Sequence, residues 1–248
     1  MGASRLVRDR HKADDISVCL RPNSNCHSVL KRAFDIIVAT VVLLALAPVM
    51  IMIAAALRML GFNRPIFTQH RVGRNATIFT IYKFRTLRDQ TCRPVSPIIT
   101  KSADLLTTRL RISGLDELPQ LFNVLRGEMS LVGPRPHSLA DHALFSFTLP
   151  GYESRLTAKP GITGWAQING WRGPVNDHQQ LRARIAHDLD YISRQSARLD
   201  GTILLATALL PFQNRAIPND PAHEGTSDQS PDLQHDLQHD LQHDRRFA

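Results

Sequence analysis

The chain has 248 residues, 43% of them apolar and 21% charged. That is enough to bury a core, sits within the size of one domain, and is too apolar for a disordered chain. Its three cysteines, Cys19, Cys26 and Cys92, are odd in number and form no CxxC pair, which argues against a zinc site or a disulfide scaffold and fits a reducing compartment. The net charge is +8, but residues 214–248 hold seven acidic and three basic residues, so the first 213 carry +12. A basic body selects an anionic partner: nucleic acid, a lipid head-group surface or a phosphorylated substrate.

Residues 1–30 are polar and charged, without the apolar core of a cleavable signal peptide. The run 36–57 is then almost wholly apolar, with Thr40 its only hydroxyl. About 20 apolar residues suffice to cross a hydrocarbon layer of about 30 Å. Two features argue against a simple crossing. Pro48 near the middle removes a backbone donor and crowds the preceding turn, predicting a kink or break. Lys31 and Arg32 precede the run and Arg58 and Arg64 follow it; basic flanks favour the cytoplasmic side, so a re-entrant helix-break-helix keeps both on one face.

Residues 65–72 and 78–87 read as two strands joined by the turn Gly73-Arg74-Asn75. In the second, Phe79, Ile81, Lys83 and Arg85 alternate onto one face, where two cations at spacing two can grip phosphate oxygens or lie on a solvated face. In 118–127, Leu118, Leu121, Phe122 and Leu125 form a helical stripe that begins at Pro119 and stops at Gly127. Asp116 and Glu117 then stand at the helix start, either as caps or as chemistry. A further helix covers 178–193, with Leu181, Ile185, Leu189 and Ile192 inward. The apolar stretch 203–210 follows a cap-like Asp200-Gly201-Thr202 and ends at Pro211. It is too short to span and is either an interfacial helix or the last core helix. From Pro218 the chain turns polar. Asp-Leu-Gln-His occurs three times over 232–243, a period too short for a structural repeat, so 214–248 reads as a disordered tail.

Arg71, Lys83, Arg85, Arg111, Arg135 and Lys159 lie in separate short motifs rich in Gly and Pro. In Gly133-Pro134-Arg135-Pro136 the prolines restrict the backbone around the arginine and hold its guanidinium rigid, suited to bidentate phosphate binding. Two carboxylates beside such cations suggest phosphoryl transfer. One attacks phosphorus and the other holds Mg²⁺, a hard cation that prefers carboxylate and phosphate oxygens. No Walker loop, GxGxxG or HExxH is present.

Six stretches occur in order: Lys31-Arg-Ala-Phe-Asp35, Gln69-His-Arg-Val-Gly73, Lys83-Phe-Arg-Thr86, Leu115-Asp-Glu-Leu-Pro-Gln120, Met129-Ser-Leu-Val-Gly-Pro-Arg-Pro136 and Lys159-Pro-Gly-Ile-Thr-Gly-Trp-Ala-Gln-Ile-Asn-Gly170. Together they closely resemble the bacterial sugar transferases, small monotopic phosphoglycosyl transferases. The resemblance implies transfer of a sugar 1-phosphate from a UDP-sugar to undecaprenyl phosphate with release of UMP, the first membrane step of a surface polysaccharide. It implies Asp116 as nucleophile, through an aspartyl phospho-sugar intermediate, with Glu117 beside Mg²⁺. Arg71, Lys83, Arg85, Arg111, Arg135, Lys159 and Gln167 are the expected substrate and phosphate binders, and Pro48 the membrane break.

The run Asn169 to Gly173 resembles the exopolysaccharide branch, pointing to UDP-glucose or UDP-galactose. The chain departs from the family pattern at Ala47-Pro48, where Ser-Pro is common; at Gly114, where serine commonly precedes Leu-Asp-Glu; at Glu128, where aspartate is more common; and at Arg194-Gln195-Ser196, which lacks a frequent tryptophan. The family's larger N-terminal membrane region has no room before Lys31.

The expected fold is α+β and mostly helical, with a re-entrant membrane helix, a small β-hairpin and interfacial amphipathic helices around a cytoplasmic active site. The expected organisation is a polar extension over 1–30, a monotopic domain over 31–213 with the re-entrant helix at 36–57, and the tail. Expected partners are the UDP-sugar, undecaprenyl phosphate, inner-membrane lipid and other polysaccharide assembly enzymes, at the cytoplasmic face of a bacterial inner membrane. A non-catalytic basic membrane scaffold would explain the charge and the apolar run but not the acidic pair. A nucleic-acid binder would lack any motif and leave the apolar run without a role.

Overall fold

The computed structural model describes residues 25–88, 92–93, 95–173, 175 and 177–209. The tail and most of the N-terminal extension lie outside them.

Helix α1 (Asn25–Met59) contains Pro48 without interruption of its secondary structure. The sequence predicts a kink or break there, and the helix does not end. Proline removes a single backbone bond, to the carbonyl of Leu44, and helices in apolar surroundings tolerate that loss. The helix also begins earlier than predicted, and its 35 residues extend about 52 Å. Residues Val29–Met59 are long and apolar enough to cross a membrane, and only 11% of their most apolar window is buried. That exposure is wrong for the core helix of a soluble protein.

The helix is nevertheless fastened to the body on both sides of Pro48. Before it, Ala39 is fully buried in the main core, with Val38, Val42 and Leu43 packed against that core. After it, Ile53 and Leu57 pack with Phe62, Phe84, Ala103 and Leu110 in a second core. The polar residues at its start are fasteners too. Lys31 Nζ donates to Asp200 Oδ2 at 2.7 Å. Arg32 donates to the carbonyls of Val124 and Leu125, the exposed end of a short helix. Buried Asp35 accepts from Ser130 Oγ at 2.7 Å and from the Leu131 amide. The basic flank read as a topology signal is thus an ion-paired seam.

Strands β1 (Ile66–Val72) and β2 (Ile78–Phe84) form the expected antiparallel hairpin, Val72 opposite Ile78. Asn75 and Ala76 take left-handed conformations in its turn. Phe79 and Ile81 are buried as their alternation predicts, and Phe84, on the alternate register, is buried as well. Phe84 fills the second core, while Phe79 and Ile81 fill the first.

Helix α2 (Pro97–Ser113) was not predicted. Ser96 caps it, Gly114 ends it in the left-handed region, and only Ala103, Thr107 and Leu110 are buried. A 3₁₀ turn (Leu115–Gln120) leads into α3 (Leu121–Arg126), so the predicted single helix is two pieces, with Pro119 inside the tighter one. Phe122 faces out at 49% exposure, which breaks the expected stripe.

A second sheet was also unpredicted. Strands β3 (Ser130–Val132) and β4 (Gly161–Thr163) pair in parallel. Between them come α4 (Leu139–Thr148) and a 3₁₀ turn (Tyr152–Thr157). The strands approach so closely that a Cβ on Gly133 would lie 2.3 Å from the Lys159 carbonyl oxygen, and one on Gly161 would lie 2.1 Å from the Gly133 nitrogen. Only glycine fits either place.

The chain closes with α5 (Trp165–Ile168), α6 (His178–Arg194) and α7 (Ala197–Leu209). Helix α6 matches its prediction. Helix α7 starts before the cap-like Asp200, which is buried inside it and accepts from Lys31 and from the Tyr191 hydroxyl. Its Ile203 is fully buried in the main core, while Leu205 and Leu209 are exposed. The result is a mostly helical α+β fold with one long apolar helix and small sheets.

Candidate active site

The left-handed Gly114 (φ 73°) ends α2 and turns the chain into the 3₁₀ segment, where the Glu117 amide donates to the Gly114 carbonyl at 3.1 Å. This tight turn presents Asp116 and Glu117 side by side, 8% and 6% exposed. A Cβ at 114 would come 2.9 Å from the movable Arg172 guanidinium, so it is the positive φ more than that contact that calls for glycine. The N-cap of this segment is Gly114, without a side-chain cap hydrogen bond, and both acids stand in its first turn.

Glu117 is held by two cations at one oxygen. Its Oε1 accepts from Lys83 Nζ at 2.8 Å and from Arg135 at 3.0 Å. Lys83 comes from β2 and Arg135 from the turn after β3. Among the described residues, no ion pair or hydrogen bond engages the Asp116 carboxylate. The electrostatics separate the two acids. Burial and the Glu117 charge push Asp116 up to about 6, against the pull of Lys83, Arg172 and Arg135. Burial would raise Glu117 as well, but Arg135, Lys83 and Arg172 together hold it well below the usual carboxylate range. Two adjacent acids with opposed shifts mark different roles.

The Pro-Arg-Pro turn is rigid for a reason beyond its prolines. Four successive carbonyls are hydrogen-bonded: Pro134 accepts from the Gly161 amide, Arg135 from the Arg155 guanidinium at 2.6 Å, Pro136 from Arg71 and His137 from the Val72 amide. Arg155 is itself 2% exposed and paired with Asp188 at 2.8 Å. His137 Nδ1 lies 2.8 Å from the Tyr152 hydroxyl. Burial, then the arginines around it, push the His137 imidazole well below its ordinary value. The Arg155 guanidinium also faces Nδ1, at 3.4 Å, so that nitrogen accepts and the Tyr152 hydroxyl donates.

The structure thus brings together Asp116, Glu117, Lys83 and Arg135. Arg71 is close enough that Arg135 and Glu117 both act on its charge. Arg85 lies elsewhere: its Nε donates to the Arg64 carbonyl and its guanidinium sits 5.5 Å from the Phe67 ring. Lys159 lies beside Arg32 and Gly127, with Arg32, Arg74 and Asp35 the charges it feels after burial. Arg111 stands in the last turn of α2, its Nε buried without a partner. Gln167 borders a cavity of about 230 Å³ that Glu117 and Arg172 also line.

Arg172 was missed as a site residue, although the Asn-Gly-Trp-Arg-Gly run containing it was noted. Arg155 and Asp188 were missed too. Thirty-three residues separate them in the chain, and no local pattern joins them.

Among the described residues, no cluster of three or more His, Cys, Asp or Glu could hold a metal. The acidic pair still fits a substrate-borne divalent cation. Lys83 and Arg135 both occupy Glu117 Oε1 rather than Oε2, and Mg²⁺ is commonly held by one or two carboxylates plus substrate phosphates.

The profile of the bacterial sugar transferase family matches residues 26–214. The UDP-glucose:undecaprenyl-phosphate glucose-1-phosphate transferase of Escherichia coli (strain K12) is 40% identical over 198 residues, 79% of this chain and 43% of the relative. The exopolysaccharide production protein PSS of Rhizobium leguminosarum bv. phaseoli is 40% identical over 188 residues, 73% of this chain and 94% of the relative. A UDP-N-acetylgalactosamine-undecaprenyl-phosphate N-acetylgalactosaminephosphotransferase of Aeromonas hydrophila is 35% identical over 74% of this chain. The chain spans less than half the length of the Escherichia coli relative. With a profile match over three quarters of its residues, the chain belongs to the bacterial sugar transferase family.

Proposed function

We propose that this protein transfers a sugar 1-phosphate from a UDP-sugar, UDP-glucose or UDP-galactose, to undecaprenyl phosphate and releases UMP. This would be the first membrane step of exopolysaccharide synthesis. The observation that carries the reading is the division of labour in the acidic pair: Asp116 without a partner and raised to about 6, Glu117 clamped by Lys83 and Arg135. The names of the relatives support the substrate class.

An ionised Asp116 oxygen attacks the sugar-bearing phosphorus. A bond forms between that oxygen and phosphorus, and the bond from phosphorus to the bridging oxygen breaks, so UMP leaves with the electron pair. A phosphate oxygen of the lipid then attacks the same phosphorus and displaces Asp116. Arg135, Lys83 and Arg172 bind the diphosphate and weaken the repulsion between an anionic nucleophile and an anionic substrate. Burial strips water from Asp116, which keeps the carboxylate reactive. A Mg²⁺ ion arriving with the substrate, beside Glu117 and Asp116, would neutralise charge on the diphosphate oxygens.

The membrane part of the reading is a monotopic placement at the cytoplasmic face of the inner membrane. Its support is that α1 packs on the same body before and after Pro48, while Ile37, Val41, Leu44, Ile51 and Met52 stay exposed for lipid. Contacts with one body on both sides of Pro48 are what a placement on one face of the bilayer requires.

The test is a panel of UDP-sugars with Mg²⁺, undecaprenyl phosphate and the purified full chain, scored by UMP. Wild type releases UMP with at least one hexose donor, and Asp116→Asn does not. A non-catalytic scaffold would release none, and an Asn variant with wild-type turnover would remove Asp116 as nucleophile.

A further inference from the structure

The cavity beside the acidic pair is lined by groups of different chemistry: the charged Glu117 and Arg172, the polar Thr163, Gln167 and Thr207, and the apolar Val38, Val42 and Leu204 among others.

Gln167 is 6% exposed. Its Nε2 donates to the Ile162 carbonyl at 3.0 Å, while its Oε1 is buried without any hydrogen bond. The amide orientation follows from that neighbour: turned over, it would set two carbonyl oxygens against each other. The free atom is therefore an acceptor. A native structure rarely leaves a buried acceptor dry, and its missing partner is a donor. Phosphate oxygens are acceptors, so Gln167 does not bind phosphate through this atom.

A hydroxyl adds a second acceptor. Thr163 Oγ1 and Thr207 Oγ1 lie 2.6 Å apart, and either can donate, Thr207 also having the Ile203 carbonyl within 2.8 Å. Whichever donates, Thr163 Oγ1 keeps at least one lone pair free to accept. An isoprenoid chain would fill the apolar wall but satisfy neither acceptor. A polyol satisfies both, and a volume of about 230 Å³ suits one sugar ring, falling below the about 300 Å³ at the lower end of drug-sized pockets.

We propose that this cavity holds the sugar ring of the donor, with Gln167 Oε1 and Thr163 Oγ1 each accepting a hydrogen bond from a ring hydroxyl. Gln167 and Thr163 are then sugar-recognition residues, set apart from the cations that bind the diphosphate. The inference rests on the UDP-sugar reading above.

The experiment is calorimetric titration of the detergent-solubilised full chain with UDP-glucose and, separately, with UDP, in an Asp116→Asn background that blocks turnover. Gln167→Met and Thr163→Val are compared with that background. Each is expected to weaken UDP-glucose about fivefold to tenfold, the size of one lost hydrogen bond, and to leave UDP within twofold. Equal weakening of both ligands, or no weakening of either, overturns the sugar assignment while the donor reading stands. A raised KM for undecaprenyl phosphate in the Asp116 parent of each variant, with UDP-glucose affinity intact, also overturns it and gives the cavity to the isoprenoid. Failure of UDP and UDP-glucose alike to bind any form removes the donor reading itself, and this inference with it.

Discussion

Replacing Asp116 by asparagine should abolish turnover and make the protein more stable. Burial and the Glu117 charge hold the Asp116 carboxyl at about 6 in the folded chain, against a reference value of 3.8. A folded value above the unfolded one means that the fold prefers the protonated acid. Its stability is full below 3.8 and is lost as pH rises through about 6. The difference is worth about 3 kcal/mol at pH 8 and about half that at pH 5. Asparagine has no charge to desolvate, so it removes this penalty. For a chain of this size about 3 kcal/mol corresponds to roughly 6–12 °C in melting temperature. The assay is thermal unfolding of the full chain in detergent at pH 8 and pH 5, followed by tryptophan fluorescence. The variant should melt higher than wild type at pH 8, with a smaller gap at pH 5. A variant that melts at or below wild type at pH 8, or shows a gap that does not shrink on acidification, would refute the reading of Asp116 as a strained, reactive carboxylate.

Three further outcomes follow from the same geometry. The rate of UMP release should fall below pH 6, with about one tenth of Asp116 ionised at pH 5; in initial-rate profiles, Lys83→Met should move this acid limb upward, because Lys83 lowers Asp116, and Glu117→Gln should move what activity remains downward. Arg155→Met should destabilise the fold by about 3–5 kcal/mol, because it strands the buried Asp188 charge, whereas the double change with Asp188→Leu should recover much of the stability in denaturant titrations but not kcat, since the Arg135 carbonyl stays unclamped. Single cysteines placed just before Lys31 and just after Leu60 should both resist an impermeant thiol reagent in intact cells, and labelling of either one would favour a true crossing over the monotopic placement.

Patterns that depend on near neighbours were readable in the chain itself. The β-hairpin and α6 announce themselves by period, the apolar run by length, and the acidic pair by adjacency. Six ordered motifs were enough to place the family. Where prediction failed, distant contacts decided. Both registers of β2 are buried because two cores meet there, which an alternation on one face could not show. The parallel pairing of β3 with β4 joins segments about thirty residues apart, and three-residue strands carry no period to detect.

The site divides in the same way. Composition and motif supplied two carboxylates and a surplus of cations, because chemistry of that kind needs those residue types wherever the chain goes. They did not say which cations converge. Only folding set Lys83, Arg135 and Arg172 on Glu117, sent Arg85 to Phe67 and Lys159 to Arg32, and left Asp116 without a partner. The physical reason is that charge interaction and desolvation depend on distance and burial in space. Residue identity fixes which groups can ionise, and packing alone fixes which acid is clamped by cations and which is left without a partner.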